Sequence, residues 1–340
     1  MTSLVFYSLF VNMDEISYIK GKVCVTGASG FLASWLIKQL LKSGYHVIGT
    51  VRDPGNYRKL SHLWELEGAK ERLQLVKANL LEEGSFDDAV LGCQGVFHTA
   101  SPVFGPPNGS QSEIMESAVN GTLNVLRSCK RNPLLRRVVL TSSSSAVRVK
   151  ENIDPNSPLD ESSWSSVELC ERLKLWYALA KILAERIAWE FAKENDIDLV
   201  TVLPSFIIGP NLPNDLSLTA SNVLGFLRGE TKEFSLYGRM GYVHIDDVAR
   251  CHIIVYEDLA AKGRYICSSV VLDNNELGAI VAKRYPWLPI PTRFDDYYDG
   301  KITQYTFNTS KLHNMGFKFK GIEEMFDDYI QSLKDKGSDI

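Results

Sequence analysis

The sequence predicts an α/β fold, a doubly wound parallel sheet followed by a smaller C-terminal substrate-binding lobe. Three observations carry the prediction. Short β-branched runs alternate with helical periodicity between Lys22 and Leu203. A glycine-rich turn stands at the first strand–helix junction. Beyond Pro204 the apolar runs shorten, and Pro210, Pro213, Pro286, Pro289 and Pro291 interrupt them.

Taken in order, Val23–Thr26 is a short apolar run and reads as a buried strand. Phe31–Lys42 carries Leu32, Trp35, Leu36, Leu40 and Leu41 at helical spacing, and Gly44 ends it. Tyr45–Val51, Leu73–Lys77 and Gly95–Thr99 follow as strands. Glu113–Lys130 reads as a helix stopped near Pro133, and Arg137–Thr141 as the fifth strand. Leu173–Glu194 is a long helix, and Ile197–Leu203 a sixth strand closed by Pro204. Strands separated by helices imply right-handed crossovers and a parallel sheet. Residues 21–203 therefore form the nucleotide-binding domain, with 241–258 returning to it. Residues 204–240 and 259–340 form the second lobe.

The chain has 340 residues, 45% hydrophobic and 23% charged, with a net charge of −4. This excludes a collagen, a disordered acidic chain and a disulfide miniprotein, and disfavours nucleic acid as a partner. No apolar run approaches the roughly 20 residues that span a bilayer. Leu4–Val11 is apolar, but no basic residue precedes it, so a secretory signal is not indicated. Residues 1–20 read as a disordered extension, with Met13 as an alternative start. Cysteines at 24, 93, 129, 170, 251 and 267 form no Cys-x-x-Cys pair and no metal spacing with histidine. Reduced thiols, a cytoplasmic location and no metal follow as expectations.

Gly27-Ala28-Ser29-Gly30-Phe31-Leu32-Ala33 is a Gly-x-x-Gly-x-x-Ala turn. Gly27 permits the tight bend, Gly30 lets backbone approach a pyrophosphate at the helix N-terminus, and Ala33 lets helix and sheet pack closely. At the first junction of an alternating pattern this marks a Rossmann-type dinucleotide site. The second strand ends Val51-Arg52-Asp53. Arg52, with Arg58 and Lys59, suits the 2′-phosphate of NADPH; the alternative is Asp53 on the ribose 2′-hydroxyl of NAD.

Tyr177 and Lys181 lie four apart on one helix face. With 14 tyrosines and 37 basic residues in 340, about 1.5 such pairs arise by chance. Tyr18/Lys22 and Tyr297/Lys301 are two more, but only Tyr177/Lys181 follows the fifth strand and its serine run 142–145. Ligands of open α/β sheets bind outside the strand carboxyl ends, which places these residues at the cleft. Carbonyl reduction needs a hydride on carbon and a proton on oxygen. A tyrosine beside a lysine can supply the proton, and a serine hydroxyl can polarise the carbonyl.

These elements together resemble the extended short-chain dehydrogenase/reductase family, within it the plant dihydroflavonol 4-reductase and cinnamoyl-CoA reductase group. The matching stretches include Gly49-Thr50-Val51-Arg52, Gly95-Val96-Phe97-His98-Thr99-Ala100-Ser101-Pro102, Val119-Asn120-Gly121-Thr122 and Tyr242-Val243-His244-Ile245-Asp246-Asp247. The resemblance implies Ser143, Tyr177 and Lys181 as the triad and Asn120 as a helper in a proton relay; the alternative for Asn120 is a helix side chain bonded to backbone. It also implies Arg52 and Lys59 at the 2′-phosphate, Asn79 and Leu80 near adenine, and Thr99, Ala100 and Ser101 at the nicotinamide ribose. Pro204 and Ile207 would flank the nicotinamide.

Two departures bear on substrate. Arg148 replaces the side chain, commonly Asn, with which dihydroflavonol reductases read ring hydroxyls. Leu175-Trp176-Tyr177-Ala178-Leu179-Ala180-Lys181 departs from the Asn-Trp-Tyr-Cys-Tyr-Gly-Lys of cinnamoyl-CoA reductases. Arg52-Asp53-Pro54-Gly55-Asn56, Cys93-Gln94-Gly95 and Leu203-Pro204-Ser205-Phe206 resemble the tetraketide α-pyrone reductases in particular. The implied activity is NADPH-dependent reduction of a ketone on a polyketide pyrone, giving a hydroxylated sporopollenin precursor for the pollen wall. Dihydroflavonol or cinnamoyl-CoA reduction is the alternative, and a cofactor-sensing regulatory protein the non-enzymatic one. An apolar channel would suit the alkyl arm, with Ser205, Phe206, Leu216, Leu218, Val223, Leu224, Phe226 and Leu227 as lining or as plain core. Loose association with endoplasmic-reticulum enzymes of the same pathway is a further expectation.

Overall fold

The computed structural model describes residues 20–101, 111–235, 238–294, 304–338 and 340. The predicted extension before Lys20, and the Tyr18 and Tyr297 pairs, fall outside the described residues.

Seven parallel strands build the main sheet. They are β1 (Lys22–Val25), β2 (His46–Val51), β3 (Leu73–Lys77), β4 (Gly95–His98), β5 (Arg137–Thr141), β6 (Leu199–Pro204) and β9 (Gly263–Cys267), in the order β3-β2-β1-β4-β5-β6-β9. Val23, Val47, Val96, Val138, Val139 and Val200 are fully buried, because helices cover both faces and the runs are apolar throughout. Strand order reverses between β1 and β4, and there the carboxyl ends open a crevice.

The sixfold pattern read from the sequence lacks β9. This strand places residues 263–267 in the main sheet, whereas the sequence pattern predicts 259–340 in the second lobe. Arg264 and Tyr265 disguise it. Both are buried, Arg264 by a carboxylate partner rather than by apolar character.

A second sheet of three strands, in the order β10-β8-β7, is built from β7 (Phe206–Ile208), β8 (Arg239–His244) and β10 (Val270–Asp273). β8 therefore belongs here, whereas the sequence pattern predicts 241–258 with the nucleotide-binding domain. The helix Ile245–Glu257 does return. Its Ile245, Val248, Ala249 and Val255 join the core cluster of Leu36, Ile37 and Leu40 on the first helix, Phe31–Lys42. Trp35 Nε1 donates to Asp246 Oδ1 at 2.9 Å across that contact.

The second lobe has its own core, with Val223, Phe226, Phe234, Tyr242, Leu277, Phe326 and Tyr329. Among the described residues all six cysteines are buried free thiols, and no helix is long and apolar enough to cross a membrane.

Candidate active site

The glycine-rich turn leaves β1 directly into the first helix. Gly27 adopts φ +71°, and a Cβ there would lie 3.1 Å from the Ala100 Cβ, so β1 and β4 approach as only glycine allows. Gly49 on β2 serves the same end, since a Cβ would meet Ala28 Cβ at 2.8 Å. Gly30 is the N-cap of the helix, has no side-chain cap, and the first turn carries no acidic residue. Its leading N–H groups, from Phe31 and Leu32 onward, are those a helix start leaves for an anion to accept from. The turn Gly27, Ala28, Ser29, Gly30 fits a pyrophosphate on these grounds.

Arg52 lies exposed at the tip of β2. Lys59 follows in the first turn of the helix Tyr57–Trp64, which Asn56 caps by accepting from Lys59 N–H at 3.3 Å. Arg58 lies 3.8 Å from Asp215. Asp53 Oδ1 is taken up by Gly55 N–H at 2.9 Å. Asn79 turns inward on its own loop, donating to Glu82 at 2.8 Å and accepting from Leu81 N–H at 3.2 Å, so neither end of its amide is held outward. Leu80 instead lines the cleft, together with Ala100 and Ser101. Thr99 donates to Thr26 O. Pro204 ends β6, and its carbonyl accepts from Ser144 N–H at 2.9 Å. Ile207 pairs with Val243 in the second sheet, beside the main core.

Tyr177 stands in the first turn of the long helix. That helix runs Trp176–Glu194, shorter than predicted, because Lys174 at φ +55° breaks it from the helix Val167–Arg172. The helix N-terminus is the end that favours developing negative charge. Tyr177 is 40% exposed to the cleft. Lys181 Nζ lies 5.9 Å from its ring centre and donates to Thr141 O at 3.3 Å. Ser143 is buried, and its Oγ accepts from Ser145 N–H at 3.1 Å, leaving the hydroxyl proton to donate. Its neighbour Ser142 is committed, donating to Glu185 Oε2 at 2.7 Å.

Asn120 is exposed on the helix Gln111–Lys130, whose Ala118 and Thr122 line the cleft. At 3.6 residues per turn Asn120 falls on the far side from both.

His98 carries no functional signal of its own in the sequence. It lies buried in the cleft wall, 2.9 Å from Thr26 Oγ1. Burial, and then the Lys181 charge, push its pKa down to about 3, so the imidazole is neutral. The channel candidates divide: Val223, Phe226 and Leu227 are core, Leu216, Leu224 and Phe206 half-buried, and Leu218 exposed. Arg148 is half-buried and forms no ion pair among the described residues. No metal-ligating cluster occurs among the described residues.

A doubly wound parallel sheet with a glycine-rich turn after its first strand, and a Tyr/Lys pair lining a cleft with the ends of β4 and β5, defines an oxidoreductase of the extended short-chain dehydrogenase/reductase type. The chain belongs to the NAD dependent epimerase/dehydratase family, whose profile matches residues 23–267. It is 65% identical to tetraketide alpha-pyrone reductase 1 of Arabidopsis thaliana, over 94% of this chain and 97% of that one. Among solved structures, vestitone reductase from alfalfa (Medicago sativa) superposes with a TM-score of 0.80 at 38% identity, covering 94% and 99% of the two chains. Yeast methylglyoxal/isovaleraldehyde reductase Gre2, complexed with NADPH, gives 0.77 at 28%, covering 93% and 99%.

Proposed function

We propose that the protein is an NADPH-dependent reductase of a ketone on a tetraketide α-pyrone, yielding a hydroxylated sporopollenin precursor for the pollen wall. The observation that carries the chemistry is the Tyr177/Lys181 pair in the first turns of the long helix, lining one cleft with His98, Ala100 and Ser101. The substrate assignment rests on the 65% identity to a reductase of that name. Arg52 and Lys59 are offered to the 2′-phosphate, while Asp53 is occupied by its own turn; this favours NADPH over NADH.

When bound, the nicotinamide supplies hydride to the carbonyl carbon. Tyr177 delivers the proton to the carbonyl oxygen, and Lys181 stabilises the phenolate left behind. Ser143 donates its hydroxyl hydrogen to that oxygen and aligns the carbonyl. Ala100, Ser101 and Leu80 line the cleft that Tyr177 faces. The protein works in the cytoplasm, with loose association at the cytosolic face of the endoplasmic reticulum as the finer proposal.

Tyr177→Phe tests the assignment. It keeps the ring and removes the proton donor, so turnover should fall by about 10²–10⁴-fold while NADPH still binds. Full turnover in this variant would refute the role given to Tyr177.

A further inference from the structure

We infer that Glu185 is a positioning residue that holds the serine turn in register with the helix bearing Tyr177 and Lys181. The inference rests on the carbonyl-reduction reading and adds a residue that acts through Ser143.

Tyr177, Lys181 and Glu185 recur every fourth residue and share one stripe of the long helix. Lys181 donates to Thr141 O at 3.3 Å, and Glu185 accepts from Ser142 Oγ at 2.7 Å. Two successive helix turns thus engage two successive residues of one strand end, just before Ser143.

Glu185 is 1% exposed. Its Oε1 also accepts from Thr201 Oγ1 on β6 at 2.9 Å and from Arg264 Nε on β9 at 2.8 Å. Arg264 Nη2 reaches Oε2 at 3.2 Å. A carboxylate this deep persists only when paired and fully hydrogen-bonded. One carboxylate therefore joins the helix to three strands.

Arg264 extends the constraint to the other side of Ser143. Its guanidinium stacks 3.8 Å from the Trp164 ring centre and donates to Glu161 O at 2.9 Å and Ser163 O at 2.5 Å. That loop then grips the segment after the serine. Ser165 Oγ donates to Ser145 O at 2.7 Å, and Ser165 N–H donates to Ala146 O at 2.8 Å. Ser143 is held upstream by Glu185 directly and downstream by a loop that the same ion pair anchors. The protein needs Ser143 and Tyr177 to meet one carbonyl oxygen, and small misplacements there are expensive in rate.

A double-mutant cycle tests this. Glu185→Gln, Ser143→Ala and the double variant are assayed for kcat and KM on a ketone substrate, with NADPH Kd from fluorescence titration. Glu185→Gln should lower kcat by about tenfold and leave the NADPH Kd within about twofold. In the Ser143→Ala background the same change should cost under about twofold. Equal cost in both backgrounds, or an unchanged kcat, overturns the proposal. Should Glu185→Gln fail to fold, with Arg264 unpaired, Ser142→Ala severs one tether and leaves the ion pair; the same cycle applies and additivity again overturns the proposal. Tyr177→Phe, run alongside, reports on the catalytic reading alone. Retained turnover there refutes that reading, whereas an inactive Tyr177→Phe with an additive cycle refutes only the positioning role.

Discussion

Replacing Arg52 with Gln isolates the contribution of one cation to cofactor choice. Arg52 is exposed at the end of β2 and makes no ion pair among the described residues, so its loss costs the fold little. A charge-assisted hydrogen bond to phosphate is worth about 1.5–3 kcal/mol. At about 1.4 kcal/mol per tenfold, this corresponds to about a 10- to 150-fold rise in the NADPH KM. Lys59 remains nearby as a second cation, which places the expected rise in the lower half of that range. The NADH KM should barely move, because NADH has no 2′-phosphate. The assay is steady-state KM for each cofactor with one ketone substrate at fixed ionic strength. An unchanged NADPH KM, or equal losses with both cofactors, would refute the assignment of Arg52.

Two further outcomes concern stability. His98 and His252 are buried, and burial lowers their pKa values to about 3 and about 4. The folded protein therefore leaves them neutral while the unfolded chain protonates them below about 6.5, so stability is full above that pH and falls as pH drops toward 4, by about 1.4 kcal/mol per unit for each group. Melting temperatures at pH 7, 6 and 5 should decline; a flat series would contradict this. Gly95→Ala should lower the melting temperature by several degrees, since its Cβ would lie 2.2 Å from the Tyr256 ring, and overpacking of that kind costs about 1–3 kcal/mol. A wild-type melt would show that Tyr256 yields freely.

The parts of this molecule that were legible in its sequence are those in which neighbouring residues do the work. The glycine turn is one, because Gly27 and Gly30 meet local backbone demands that no other residue meets. The Tyr177/Lys181 pair is legible because it follows the fifth strand, whose end, Thr141 and Ser142, lines the same cleft. What the sequence concealed depends on distant partners. β9 reads poorly because Arg264 finds its counter-charge, Glu185, 79 residues away. His98 looks like an ordinary strand residue until Thr26 and Lys181 surround it. Asn120 matched a family motif, but the rotation of its helix turns it away from the cleft. Val223, Phe226 and Leu227 have the same apolar character whether they line a channel or fill a core, and packing against Phe234 and Phe326 decides for the core.

The most direct test of the central claim is a kcat/KM comparison with NADPH across three substrates: an α-pyrone bearing a ketone on its alkyl arm, a dihydroflavonol and a cinnamoyl thioester. The pyrone ketone should be reduced to its alcohol with the highest kcat/KM. Turnover of the dihydroflavonol or the thioester with no reduction of the pyrone would contradict it.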